Sequence, residues 1–283
     1  MQYLGVITGP DKQSTSPAFQ QAAIDALDLG LRYERWATER SGLATRVTGL
    51  RAPSVLGANV TIPHKEAVMP MLDELDPLVK RIGAVNTIHN ADGRLLGYNT
   101  DAEGFLRALR DDASFDPRGK HVAIAGAGGA ARAVVVALCD AGAASVAILN
   151  RTSNRARRLA DDTRLSAGPT SLEALDASPE SWAKVAARTE LLINCTSLGS
   201  AGAEESRSPV PAEVIRQETL VYDLVYRPTE TCLLREARSR GAHTLGGLPM
   251  LIYQGAASLK IWTGRDAPID VMMSAAREAL GVD

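Results

Sequence analysis

The chain has 283 residues, which suits one large domain or two modest ones. Its 45% hydrophobic and 23% charged residues are ordinary for a globular protein. A formal charge of -2 and an aromatic content of 4% give no electrostatic pull toward nucleic acid or an anionic membrane and no stacking platform for single strands. No window approaches ~20 uninterrupted apolar residues, so no membrane-spanning helix is expected. Met1-Gln2-Tyr3-Leu4-Gly5 has no basic region ahead of an apolar one, so a cytoplasmic location is expected. Cys139, Cys195 and Cys232 are far apart in apolar settings and read as buried thiols. His64, His89, His121 and His243 lack metal-ligand spacing, so no metal is expected.

Residues 3–8 predict a strand and 17–29 an amphipathic helix, with Ser16 as N-cap and Pro17 at the first helical position. A strand over 31–36, a helix within 37–50 and a strand over 55–62, ending in Pro63, follow. Residues 84–90 and 93–98 predict two strands joined at Ala91-Asp92-Gly93. A helix over 101–110 leads to a polar connection, 114–119, with Pro117 and Gly119. Strand and helix patterns continue at 191–195, 220–224 and 231–240, with an exposed loop over 199–212. Long helices over 250–263 and 269–280 end the chain, and no internal repeat is present. This alternation predicts parallel sheets covered by helices.

The most informative segment is Gly126-Ala127-Gly128-Gly129-Ala130-Ala131, between the apolar run 122–125 and a helical one, 133–138. A Gly-x-Gly-x-x-Ala turn admits a pyrophosphate close to the backbone and aims a helix N-terminus at it. The next strand, 145–149, ends in Asn150-Arg151-Thr152, where an NAD-binding fold would place Asp or Glu. An acid would repel a ribose 2′-phosphate, whereas Arg151 and, a turn later, Arg155 would attract one. The cofactor expected is therefore NADP. Arg157 and Arg158 fit a solvated helix face. The nucleotide unit starts near residue 104, which leaves a preceding domain of its own, with the substrate expected between the two at the C-terminal strand ends.

In that first domain, polar residues cluster at strand ends. They are Ser14 and Ser16; Asn59, Thr61 and Lys65; Asn86 and Thr87; and Asn99, Thr100 and Asp101. Alternation puts Asn59 and Thr61 on one face. Each has a local alternative: Ser16 or Asp101 as helix caps, Lys65 as a solvated lysine, the asparagines as turn residues. Together, hydroxyls, amides, an ammonium and a carboxylate suit a small polyhydroxylated acid.

With these residues the chain resembles the shikimate dehydrogenase family. The resemblance runs through Ser14-Thr15-Ser16-Pro17, Asn59-Val60-Thr61-Ile62-Pro63-His64-Lys65, Gly83-Ala84-Val85-Asn86-Thr87 and Gly97-Tyr98-Asn99-Thr100-Asp101. It continues through the glycine turn, Asn150-Arg151-Thr152, Asn194-Cys195-Thr196-Ser197, Tyr222-Asp223-Leu224-Val225-Tyr226 and Gly247-Leu248-Pro249-Met250-Leu251, then Gln254. It implies an α/β protein of two α/β domains: a substrate domain over 1–103 plus 248–283, and a Rossmann-like NADP-binding domain over 104–247. The C-terminal helices would return to the first domain.

The activity implied is reduction of 3-dehydroshikimate to shikimate with NADPH, on the route to aromatic amino acids, by a monomer or homodimer. Lys65 is implied as the acid/base and Asp101 as its partner. Ser14, Ser16 and Tyr226 would hold the substrate carboxylate, and Thr61, Asn86, Asp101 and Gln254 the ring hydroxyls. Gly126, Ala127, Gly128, Gly129 and Ala130 would cradle the pyrophosphate. Asn150, Arg151, Thr152 and Arg155 would hold the 2′-phosphate, with Thr196, Leu224, Gly247 and Met250 toward the rest of the cofactor. Departures from the family pattern are Gln13, Gln20-Gln21 and Cys195. A quinate or dual quinate/shikimate dehydrogenase and a non-catalytic nucleotide sensor are the alternatives.

Overall fold

The computed structural model describes residues 1–11 and 13–282. The chain forms two compact units, Met1–Gly104 with Ile252–Asp283, and Phe105–Leu251. Both divisions fall inside helices, α4 (Asp101–Asp111) and α9 (Leu248–Thr263).

In the first unit, β1 (Gln2–Thr8) runs parallel between β2 (Leu31–Ala37) and β3 (Val55–Val60), after which the chain adds β4 (Glu74–Leu75), β5 (Thr87–Ala91) and β6 (Arg94–Tyr98). The sheet order is β2-β1-β3-β5-β6-β4. This sheet is mixed, not the parallel sheet expected from alternation: β5 is antiparallel to both β3 and β6. The reason is local. Asp92 (φ 53°) and Gly93 (φ 89°) make a tight turn, and so short a link joins only antiparallel neighbours.

The helices of this unit are α1 (Ser16–Ala26), α2 (Leu43–Gly49), α3 (Pro77–Ile82) and α10 (Ile269–Leu280), with the N-terminal part of α4 and most of α9. Ser16 is the first residue of α1 and not its N-cap. Thr15 holds that position in a helical backbone conformation with no side-chain cap, and Ser14 Oγ accepts the Ser16 N–H at 3.2 Å. The helix stops at Ala26, short of the expected 29, because the chain turns left-handed at Asp28 (φ 51°). The helix expected within 37–50 shrinks to α2 behind a 3-10 turn at Arg40–Gly42. Its beginning is taken up by β2, and Thr38 N–H is bonded to Thr8 O at 2.9 Å.

Leu43, Val47 and Leu50 cover one face of the sheet, packing with Ile7, Val60, Val79, Ile88 and Leu95. Burial of this kind contributes roughly 1.5–3 kcal/mol per large apolar side chain. Elsewhere α9 lies against β3. A side chain at Gly57 would come within 2.3 Å of Trp262 Nε1, whose N–H donates to Ile88 O at 2.8 Å. Two of the sequence departures hold this unit together: Gln20 donates to Gly255 O at 2.9 Å, and Gln21 Oε1 accepts the Tyr33 N–H at 2.8 Å.

The second unit contains β7 (His121–Ala125), α5 (Gly129–Asp140), β8 (Ser145–Leu149), α6 (Ser153–Arg164), β9 (Ser171–Leu175), α7 (Pro179–Ala186), β10 (Leu191–Asn194), β11 (Leu220–Asp223), α8 (Cys232–Ser239) and β12 (His243–Leu245). All neighbours pair in parallel, in the order β12-β11-β10-β7-β8-β9. The chain moves outward from β7 and then returns to its other side at β10. This reversal makes a topological switch point at the C-terminal ends of β7 and β10, the place where such sheets bind nucleotides. Val134 to Leu138 of α5, in the core, are 0–2% exposed.

Asp223 ends β11 fully buried. It accepts from Asn194 Nδ2 at 2.8 Å, Val225 N at 3.0 Å and Thr231 Oγ1 at 2.7 Å, tying together the loops after β10 and β11. Burial raises its carboxyl to about 6, against the opposing pull of these donors. An unfolded aspartate titrates near ~3.9. Between those values the folded chain therefore holds a proton that the unfolded chain has released, and this group's contribution to stability declines as pH rises. Denaturant unfolding of the parent and Asp223→Asn from pH 4 to pH 8 should show a difference in unfolding free energy that changes with pH below about 6 and is flat above. A difference independent of pH would contradict the raised value.

Candidate active site

The side chains of the candidate site in the first unit meet where β3, β5 and α4 end or begin. β3 stops at Val60, and Thr61 N–H continues to Ile7 O at 3.0 Å. The buried His64 pins the following turn, with Nε2 2.9 Å from Thr38 O, so that nitrogen carries the proton. Val85 N–H donates to Lys65 O at 2.8 Å, holding the lysine backbone beside the entry to β5. Asn99 Oδ1 accepts the Asp101 N–H at 3.0 Å. Asp101 is the first residue of α4 and not its cap, its N–H taken by Asn99 as that of Ser16 is taken by Ser14.

Lys65 Nζ lies 2.5 Å from Asp101 Oδ2, with side chains only 15% and 6% exposed. Asp101 Oδ1 accepts from Asn86 Nδ2 at 2.8 Å. The orientation of the Asn86 amide is determined, because Thr100 N–H can only donate, and it meets Asn86 Oδ1 at 2.8 Å. Asn86 Nδ2 also reaches Gln254 Oε1 at 3.2 Å and Thr100 Oγ1 at 2.8 Å. An ammonium has three N–H donors, and Asp101 takes one. The remaining donors can bind an oxygen that is developing negative charge.

The structure thus brings together Lys65, Asp101, Asn86 and Gln254 by direct hydrogen bonds. Ser14 and Ser16 are joined to each other, on the segment after β1, and the half-buried Thr61 sits just past β3. Asn59 turns inward, contrary to the expectation that it shares a ligand-facing role with Thr61. It accepts from Tyr33 Oη at 2.7 Å and donates to Ser258 Oγ at 3.0 Å. Sequence reasoning missed Tyr33 and Ser258. The available signal for Ser258 was a lone serine in the apolar run 256–259; for Tyr33 there was none.

In the second unit, Gly126 follows β7 with φ 112°, a conformation that favours glycine. Gly128 is the N-cap of α5, which has no side-chain cap, and a Cβ there would meet nothing within 4 Å. Open space and uncapped N–H groups over the turn fit a pyrophosphate. α6 likewise starts without a side-chain cap or an acidic residue in its first turn. Arg151, Thr152 and Arg155 are exposed, and Asn150 Nδ2 donates to Thr152 O at 2.9 Å. Two exposed guanidiniums with no carboxylate in that turn fit a phosphate monoester.

Thr196 N–H and Oγ1 both donate to Asn194 Oδ1, at 2.8 and 2.7 Å, and Leu224 N–H donates to Asn194 O at 3.0 Å. A Cβ on Gly247 would lie 2.3 Å from Leu224 O, so only glycine fits there. Met250 is buried in α9, and Tyr226, in this second unit, is half-buried. Of the cysteines, Cys139 is buried while Cys195 and Cys232 are half-buried, so the expectation of three buried thiols is corrected. Desolvation of the sulfur, aided by the nearby Asp223, pushes the Cys195 thiol far above its ordinary range. Among the described residues, no cluster of His, Cys, Asp and Glu is placed to hold a metal, and no helix is long and apolar enough to cross a membrane.

Three family models match successive parts of the chain. Residues 6–88 match the shikimate dehydrogenase substrate binding domain, 110–200 shikimate / quinate 5-dehydrogenase, and 247–277 the shikimate 5'-dehydrogenase C-terminal domain. The shikimate dehydrogenase (NADP(+)) of Moorella thermoacetica is 47% identical, covering 96% of this chain and 91% of that one. That of Desulforamulus reducens is 42% identical over 96% and 93%. The crystal structure of shikimate 5-dehydrogenase from Thermus thermophilus, in complex with NADP(H) and shikimate, is similar with a TM-score of 0.87 at 40% identity, covering 99% and 100% of the two chains. Matched from end to end in sequence and in both α/β units, the chain belongs to the shikimate dehydrogenase family.

Proposed function

We propose that this protein catalyses the reversible NADPH-dependent reduction of 3-dehydroshikimate to shikimate, on the route to aromatic amino acids. The observation that carries the reading is the Lys65–Asp101 pair braced by Asn86 in a chain of this family. When bound, the dihydronicotinamide supplies a hydride to the carbonyl carbon of the substrate. Lys65 binds the carbonyl oxygen, offsets its growing negative charge and gives it a proton; in the reverse direction Lys65 takes that proton back. Asp101 aims the ammonium and accepts a hydrogen bond from the substrate hydroxyl.

Ser14 and Ser16 supply hydroxyls for the substrate carboxylate. Thr61, Asn86 and Gln254 pair with ring hydroxyls, whose loss in a wrong ligand would leave buried polar groups unpaired. Gly126, Ala127, Gly128, Gly129 and Ala130 hold the pyrophosphate, and Asn150, Arg151, Thr152 and Arg155 hold the 2′-phosphate. Thr196, Leu224, Gly247 and Met250 form the remainder of the cofactor site. A dissociable nucleotide and a small water-soluble acid as reactants favour a cytoplasmic location.

Lys65→Ala should lower kcat by about 10² to 10⁴, with a smaller change in KM for shikimate. Near-normal turnover would remove Lys65 from the reaction. Arg151→Ala should raise KM for NADP⁺ about 10- to 100-fold and leave KM for NAD⁺ nearly unchanged, the loss expected for a charged hydrogen bond. Equal effects on the two would mean that Arg151 does not touch the 2′-phosphate. The activity itself is tested by following nicotinamide reduction with shikimate or quinate, each with NADP⁺ or NAD⁺. Turnover confined to shikimate with NADP⁺ is the expected outcome. Faster turnover with quinate or NAD⁺ would replace the reading by that of a quinate dehydrogenase.

A further inference from the structure

Behind the Lys65–Asp101 pair lies a group of buried polar side chains to which the mechanism above gives no task. Tyr33, Asn59, Thr87, Thr100 and Ser258 are all at most 6% exposed. Polar groups so placed destabilise the fold unless they are paired, and here a proton count closes. Tyr33 Oη donates to Asn59 Oδ1 at 2.7 Å. The Asn59 amide then donates to Ser258 Oγ at 3.0 Å and to Asn86 O at 3.2 Å. Ser258 Oγ donates its one proton to Gln254 O, a helical turn earlier, at 2.9 Å. Its second lone pair accepts from Thr87 Oγ1, at 2.7 Å, or from Thr100 Oγ1, at 3.1 Å. The threonine that does not donate there donates instead to Asn86 Oδ1, 2.9 Å from Thr87 and 3.2 Å from Thr100.

Ser258 Oγ is therefore the atom at which Asn59, the two threonines beside Asn86, and the Gln254 turn of α9 meet. Asn86 and Gln254 in turn contact each other, and Asn86 holds Asp101 Oδ1. We propose that Ser258 is a positioning residue for the reaction: its hydroxyl holds Asn86 and Gln254 so that Asp101 is presented to Lys65. This rests on the assignment of Lys65 and Asp101 as the reacting pair. Without the hydroxyl, an Asn59 N–H is left only the longer contact to Thr87 Oγ1 at 3.3 Å, the threonine protons crowd onto Asn86 Oδ1, and the amide is free to tilt away from the carboxylate.

The test measures kcat and KM with shikimate and NADP⁺ for Ser258→Ala, Thr87→Val, Asp101→Asn and the double variant Ser258→Ala/Asp101→Asn, with thermal unfolding of each. Ser258→Ala should lower kcat about tenfold, the effect of losing one buried hydrogen bond, with KM for NADP⁺ unchanged. In the Asp101→Asn background the same substitution should cost less than about twofold, because groups acting through one another are not additive. A purely structural serine would cost the same factor in both backgrounds. That result, or a kcat within about twofold of the parent, would overturn the proposal. If Ser258→Ala does not fold, Thr87→Val, which removes a neighbouring hydroxyl at nearly constant volume, is carried through the same comparison. Lys65→Ala is run alongside. Full turnover there refutes the reacting pair, whereas loss there with no effect of Ser258→Ala refutes only the positioning role.

Discussion

The first unit is organised around the enclosure of an ion pair. Removing an ammonium and a carboxylate from water costs several kcal/mol per ion, and their attraction offsets this only with good geometry and with the remaining lone pairs satisfied. Lys65 and Asp101 meet both conditions at 2.5 Å, with the second carboxylate oxygen taken by Asn86. The surrounding architecture follows from that need. The turn after β3 carries the lysine, the entry to β5 carries the asparagine, α4 begins on the aspartate, and α9 brings Gln254 and Ser258 from the other end of the chain. A pair of this kind is weak as a source of stability. In the proposed reaction its value lies in holding a proton donor and its partner at fixed positions.

The second unit solves a different problem with backbone. A pyrophosphate carries its own charge, so what it requires is close approach and aimed N–H groups. Glycines provide the approach at Gly126 and Gly128, and the uncapped start of α5 provides the donors. The loops on the neighbouring strands are held by Asp223, a buried carboxylate surrounded by donors from Asn194, Val225 and Thr231. In the proposed cofactor site only the 2′-phosphate is left to side-chain charge, at the exposed Arg151 and Arg155 after β8. In the proposed function one unit thus fixes reacting groups through side-chain networks, and the other a cofactor through main chain.

Legibility from sequence followed the distance over which each feature is decided. The glycine turn, the Asn150-Arg151-Thr152 strand end and the tight turn at Asp92-Gly93 depend on a few adjacent residues, and their conformations follow from the residue types present. The last helix, α10, came out at its expected bounds for the same reason. The errors were of competition between neighbours. Ser16 reads as an N-cap, but Thr15 holds that position and Ser16 already lies in the helix. Asp101 reads as a cap, but it is the first helical residue, its N–H taken by Asn99. β9 and β12 are short edge strands, of five and three residues, that pair only with β8 and β11.

By itself, then, the sequence determined the two α/β units, the nucleotide turn and the residue types of the candidate site, because strand ends and glycine turns are set by local chemistry. Tertiary structure alone decided which polar residues face inward as support. Asn59 and Thr61 are two residues apart and look alike in sequence, yet Asn59 is buried among Tyr33, Asn86, Thr87 and Ser258 while Thr61 is half-buried beyond the strand. Ser258 lies 199 residues from Asn59, and no local pattern announces their contact. Buried polar groups must find partners wherever the fold brings them, so such pairings emerge only once the helices have packed on the sheet.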